Sequence, residues 1–112
     1  MENLFLLKGK NVIVTGGSRG IGRAVALRFA EMGANIAILY AGNEEAASAV
    51  LGMLTEKGVK AGTYRCNVAK YEEAEETVQK IIKDFGGIDV LVNNAGITKD
   101  NLILKMKESD FD

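Results

Sequence analysis

The sequence predicts a three-layer α/β fold built on a parallel sheet, and three observations predict it. Short apolar runs alternate with longer amphipathic segments in the order βαβαβαβ, the pattern of strand–helix units wound around a parallel sheet. Each amphipathic segment repeats its apolar residues at three and four positions, as a helix with one buried face requires. Four of the 13 glycines fall within seven residues, between the first apolar run and the first helix.

The first strand is predicted over Asn11 to Thr15. A helix follows from Gly20 to Met32 with the stripe Ile21, Val25, Phe29 and Met32, and Gly33 reads as its C-terminal cap. The second strand runs from Asn35 to Tyr40. Asn43 suits the N-cap of a second helix whose stripe is Ala46, Val50, Met53 and Leu54, ending at Gly58. The third strand is Ala61 to Arg65. The third helix covers about Lys70 to Phe85 with the stripe Tyr71, Ala74, Val78, Ile81 and Phe85, before Gly86-Gly87. Its Glu72, Glu73, Glu75 and Glu76 come early and Lys80 and Lys83 late, as the helix dipole favours. Four carboxylates with no neutral ligand nearby read as a solvated face, and no metal site is expected. The fourth strand is Ile88 to Val92, and the segment from Lys99 to Asp112, with Leu102, Ile103, Leu104 and Met106, reads as the start of a further helix.

The 112 residues, 47% apolar and 26% charged, have the balance of one ordinary domain, with no repeat, proline or low-complexity linker to mark an internal boundary. There is no His and one Cys, Cys66. That excludes a Ser-His-Asp or Cys-His pair, a His-bearing zinc site, a CxxC redox motif and an internal disulfide. A net charge of -1 gives no field for drawing in nucleic acid or an anionic membrane, and neither partner is expected. The apolar run Leu4 to Leu7 is too short for a signal peptide, and no segment approaches the ~18 apolar residues of a membrane span. With the unpaired Cys66, this points to the cytoplasm.

The glycine cluster reads Thr15-Gly16-Gly17-Ser18-Arg19-Gly20-Ile21-Gly22. A helix N-terminus presents unpaired N–H groups and about half a positive charge, so a phosphate can bind there, and glycines let the backbone turn sharply beneath it. Gly17 and Gly22 have the GxxxxG spacing of a P-loop, but Arg23 and Ala24 stand where a Lys and a Ser or Thr are needed. GxGxxG fails too, because Val25 occupies the third glycine position. What remains is GxxxGxG at Gly16, Gly20 and Gly22.

That spacing, with Asn93-Asn94-Ala95-Gly96 after the fourth strand and Cys66-Asn67-Val68 after the third, resembles the short-chain dehydrogenase/reductase family over essentially all 112 residues. Tyr40-Ala41-Gly42-Asn43-Glu44 and the run from Asn93 to Leu102 look more narrowly like the branch that reduces 3-oxoacyl thioesters on acyl-carrier protein in fatty acid biosynthesis. The resemblance implies a Rossmann-like, doubly wound parallel sheet of which only the first half, strand order 3-2-1-4, is present. Residues 1–112 would then be the amino-terminal part of a single NAD(P)-binding domain. It implies that Gly16, Gly20 and Gly22 form the pyrophosphate turn, lined by Ser18, Arg19 and Ile21. Asn67 and Val68 would border the adenine, and Asn93, Ala95 and Gly96 would line the nicotinamide-side ribose. Asn67 equally suits a turn, and the alternative for Asn93 and Asn94 is the capping of a strand end, a bracing that is part of their role in the family.

A site that prefers NAD has a carboxylate at the end of the second strand, about 20 residues after the glycine turn, for the ribose 2′-OH. Here the strand ends Ile38-Leu39-Tyr40, and Glu44 and Glu45 belong to the first turn of the next helix. With Arg19 in the turn to meet a 2′-phosphate, NADP(H) is the expected cofactor; the alternative for Arg19 is a solvated side chain with no ligand role. The family's proton donor is a Tyr with a Lys four residues on, beside a carbonyl-binding Ser. Tyr40, Tyr64 and Tyr71 are followed at that distance by Glu44, Val68 and Glu75, so none of them is a catalytic residue. The chain alone is therefore expected to be inactive. A homo-oligomer, a tetramer in complete members, is implied by the resemblance. The fourth strand is expected to be an apolar edge that leaves this chain weakly stable, aggregation-prone or dependent on a partner. Two further readings remain: a dinucleotide-binding module without turnover, and another βαβ nucleotide binder such as a methyltransferase, which the paired motifs disfavour.

Overall fold

The computed structural model describes residues 6–16, 18 and 20–94. They form β1 (Asn11–Thr15), α1 (Gly20–Glu31), β2 (Asn35–Tyr40), α2 (Glu44–Glu56), β3 (Ala61–Arg65), α3 (Tyr71–Phe85) and β4 (Val90–Asn93). All strand pairs are parallel and the order is β3-β2-β1-β4, as the resemblance implies. The chain steps outward from β1 to β3 and then returns past β1 to β4. Right-handed crossovers therefore place α1 and α2 on one face of the sheet and α3 on the other.

Each face has its own core. Val12, Val14, Ile36 and Ile38 pack with Ala26 and Ala30 of α1 and Val50 and Leu54 of α2. On the reverse, Ile13, Ala37, Leu39 and Cys66 pack with Ala74, Val78 and Ile81 of α3. The alternation explains why β1 and β2 read as continuous apolar runs: both faces are covered.

The helix boundaries agree with the periodicity, and Asn43 caps α2 by accepting from Ala46 N at 2.9 Å. The buried face of α1 is different from the predicted stripe. Gly22, Ala26 and Ala30 face the sheet, whereas Ile21 is 73% exposed and Val25, Phe29 and Met32 are half-buried flanks. Small residues four apart let the helix lie close to the strands, and the larger side chains then cannot fit beneath it. In α2 the face is Ala47, Val50 and Leu54, leaving Met53 exposed; in α3 Ala74, Val78 and Ile81 are buried as predicted while Tyr71 is exposed. The acidic run of α3 is also less uniform than a solvated face, since Glu73 accepts from Asn67 N at 2.9 Å.

β4 begins at Val90, two residues later than the apolar run suggests. Asn11 accounts for the delay. Its Nδ2 donates to the carbonyls of Gly87 (2.9 Å) and Phe85 (3.2 Å), its N–H donates to Asp89 Oδ2 (2.8 Å), and the ladder starts only at Val12↔Val90. Ile88 still enters the core beneath α3, from the loop. Asn35 Nδ2 in turn donates to Asn11 Oδ1 at 3.0 Å, and Asn35 Oδ1 accepts from Lys60 N at 3.1 Å. Two asparagines thus tie the starts of all four strands. Among the described residues β4 and β3 are the sheet edges. The segment 95–112, including the predicted further helix, lies outside the described residues.

Candidate functional site

The C-terminal ends of the strands carry the predicted motifs. β1 ends in Thr15, fully buried, and the chain then turns with Gly16 at φ +67° and Gly20 at φ +64°. Both are left-handed conformations in which a Cβ would be strained. Gly16 N donates to Leu39 O at 2.8 Å, which fixes the turn to the end of β2. Gly22 closes the arrangement from α1: a Cβ there would lie 2.2 Å from Gly16 O and 2.7 Å from Asn94 Nδ2. The first turn of the helix therefore rests on the turn that precedes it, with room for hydrogen only.

The second motif meets the first through Thr15. Its hydroxyl accepts from Asn94 N at 2.8 Å and donates to Asn93 Oδ1 at 3.1 Å, with Val92 O a longer alternative at 3.4 Å. The glycine turn and the end of β4 are thus one hydrogen-bonded unit. Thr15 and Asn94 are the residues that the motif reading did not assign to the site. A signal was available in Thr15, the single hydroxyl closing a strand that is otherwise apolar after Asn11.

Among the other predicted residues, Ser18 is buried and Ile21 stands exposed beside the turn. Asn67 makes a local turn: its Oδ1 accepts from Ala69 N at 3.1 Å and its N–H is held by Glu73. Val68 is half-buried against the α3-side core. Gly16, Ser18, Gly20, Ile21, Gly22, Asn67 and Val68 follow the C-terminal ends of β1 or β3, and Asn93 is the last residue of β4, so all stand at the same end of the parallel strands. Arg19, Ala95 and Gly96, with Gly17, lie outside the described residues. Tyr40 is buried at the end of β2, and no carboxylate precedes it in that strand. Cys66 is also buried, and burial pushes its thiol up, so it holds no reactive thiolate near neutral pH. No cluster of acidic or Cys side chains suited to a metal occurs among the described residues. No helix among them is long and apolar enough to cross a membrane. A groove of about 500 Å³ lined by Lys8, Glu31, Lys57 and Val59 lies at the opposite end of the sheet, beside the strand starts, away from these motifs.

A parallel sheet with helices on both faces, and a glycine turn beside the point between β1 and β4 where the strand order reverses, define a Rossmann-like α/β protein. Residues 10–112 match the model of the short chain dehydrogenase family. The chain is 50% identical over 103 residues to the 3-oxoacyl-[acyl-carrier-protein] reductase of Staphylococcus epidermidis, covering 92% of this chain and 42% of that protein. Among solved structures, an NAD+-bound xylitol dehydrogenase superposes with a TM-score of 0.77 at 45% identity, over 81% of this chain and 35% of that one. A short chain dehydrogenase from Burkholderia cenocepacia in complex with NADP superposes with a TM-score of 0.78 at 39% identity, over 94% and 44%. The chain belongs to the short-chain dehydrogenase family. It spans less than half the length of the relatives it matches.

Proposed function

We propose that this chain forms the NADP(H)-binding part of a short-chain reductase that converts a 3-oxoacyl thioester on acyl-carrier protein to the 3-hydroxyacyl form. The observation that carries the reading is the close approach of Gly22 to Gly16 and Asn94, where a Cβ would collide with the Gly16 carbonyl. It sets the first turn of α1 against the glycine turn at the C-terminal end of β1, where helix N–H groups suit a pyrophosphate. Gly16, Ser18, Gly20, Ile21 and Gly22 would hold the pyrophosphate, and Arg19 the 2′-phosphate. Asn67 and Val68 would flank the adenine. Asn93, Ala95 and Gly96 would flank the nicotinamide-side ribose, with Thr15 and Asn94 fixing that strand end against the turn.

Bound NADPH supplies a hydride. The chain's own residues bind and orient its donor. Since none of the three tyrosines has a Lys four residues on, none is assigned the proton transfer. The similarity to the staphylococcal reductase supports the acyl-thioester substrate, and a cytoplasmic homo-oligomer is the setting we propose with it. A second reading of residues 1–112, in which no Tyr has a Lys four residues on, is a dinucleotide-binding module that performs no turnover by itself. Titration of the chain with NADPH and NADH, followed by nucleotide fluorescence without interference from Trp, tests the cofactor reading. NADPH should bind more tightly, and Arg19→Ala should remove most of the difference; equal affinity of the unaltered chain for both nucleotides would overturn it. Thioester-dependent NADPH consumption by the chain alone would exclude the second reading.

A further inference from the structure

We infer that Arg65, at the end of β3, is a second cation for the 2′-phosphate, acting from across the end of β2; the inference rests on the proposed NADP(H) reading. NADPH differs from NADH by a phosphate on the adenosine ribose, and in sheets of this topology that ribose comes to the end of the second strand. The residue there is Tyr40, which is 8% exposed and carries no charge to meet the phosphate.

Its partner in register is Arg65. The two strand ends are locked side by side, since Cys66 N donates to Tyr40 O at 2.8 Å, and adjacent strands lie about 4.8 Å apart. On the other side Gly16 N is bonded to Leu39 O, so the glycine turn, the end of β2 and Arg65 form a continuous row. Direction follows from strand alternation. Ala61 packs with the core that contains α1 and α2, and Arg65, four residues on, leaves the sheet on that same face. It is the face from which the glycine turn rises into α1.

Charge argues the same way. Glu44 and Glu45, exposed in the first turn of α2, come four and five residues after Tyr40 and add negative charge to the segment that follows the β2 end. With the phosphate added, one arginine leaves an excess of negative charge near that strand end, and a second reduces it. Arg65 is available for this, being exposed and without an ion pair among the described residues, whereas Arg28 and Lys57 are engaged with Glu31.

The test measures NADPH and NADH affinities of the chain and of its Arg65→Gln and Arg65→Lys variants at low and moderate salt. Arg65→Gln should weaken NADPH by about fivefold to tenfold and leave NADH unchanged, Arg65→Lys should retain part of the preference, and the salt dependence of NADPH binding should fall. NADH affinity doubles as the check that the variants fold. If the unaltered chain prefers NADPH and Arg65→Gln keeps that preference in full, the role of Arg65 is overturned while the cofactor reading stands. If the unaltered chain shows no preference, the cofactor reading fails and the Arg65 inference with it.

Discussion

Thr15 and Asn94, 79 residues apart in sequence, are joined at 2.8 Å by a hydrogen bond from the Asn94 backbone to the Thr15 hydroxyl. Thr15 is fully buried and Asn94 half-buried, so removing that hydroxyl takes a partner from an N–H that water reaches only in part. Thr15→Val, which keeps the shape, is expected to lower unfolding stability by about 1–3 kcal/mol. Thr15→Ser, which keeps the oxygen and loses a methyl, should cost about 1 kcal/mol. Urea denaturation of both variants checks the order. A Val variant that loses less than about 1 kcal/mol would show that the bond contributes little.

Gly22 and Gly52 separate close approach from helix propensity. A Cβ on Gly22 collides with the Gly16 carbonyl at 2.2 Å, and neither atom belongs to a side chain that can swing away. Gly22→Ala should therefore displace the turn and weaken dinucleotide binding by more than about tenfold. At Gly52, in the exposed middle of α2, a Cβ meets nothing within 4 Å. Gly52→Ala should raise stability by about 0.5–1 kcal/mol with binding unchanged. Thermal melts and NADPH titration of the pair provide the comparison.

Asn11 predicts a larger loss than its half-buried position suggests. Its side chain donates to Phe85 O and Gly87 O and accepts from Asn35 Nδ2, so one substitution breaks three bonds linking β1, β2 and the approach to β4. Asn11→Ala should destabilise by roughly 2–4 kcal/mol, taking about 1 kcal/mol for each bond and allowing for polar groups left unpaired. Asn11→Asp, which keeps one acceptor and loses both donors, should recover little. Amide exchange provides the local readout: protection at Val90 and Leu91 should fall before protection at Ile36.

These residues also show where sequence reasoning reached and where it stopped. The ends of β1 and β2 were legible to the residue because buried parallel strands are apolar on both faces, and here each run begins at an Asn; β3, a half-buried edge strand, was legible from its place between Lys60 and the Cys66-Asn67-Val68 motif. The order 3-2-1-4 came from the family resemblance. Strand alternation cannot say which strands are neighbours. The stripe of α1 misled because periodicity ranks residues by hydrophobicity, and the sheet selected Gly22, Ala26 and Ala30 for small volume. The glycine turn and the Asn93-Asn94 run were each visible as motifs. Their junction at Thr15 was not, because a contact between residues 79 apart leaves no local pattern. The Asn11–Asn35 bridge was hidden for the same reason, and it moved the start of β4.

Tyr64 predicts how stability changes at alkaline pH. Its hydroxyl donates to Asp84 Oδ2 at 2.8 Å, tying β3 to the end of α3, and burial together with the neighbouring carboxylate pushes the phenol well above its ordinary range. A proton held more tightly in the folded chain than in the unfolded one contributes stability that is fully present below the unfolded value, about pH 10. As pH rises past that point the unfolded tyrosine ionises while the folded one does not, and the contribution declines. Tyr64→Phe should cost about 0.5–1 kcal/mol near pH 7, because the exposed Asp84 carboxylate can turn to water. The gap between the two proteins should then narrow steadily above pH 10, with the lysines common to both cancelling in the difference. Denaturation midpoints compared from pH 7 to 11 test this. A gap that stays constant across the range would mean that the Tyr64–Asp84 bond does not hold the phenol's proton.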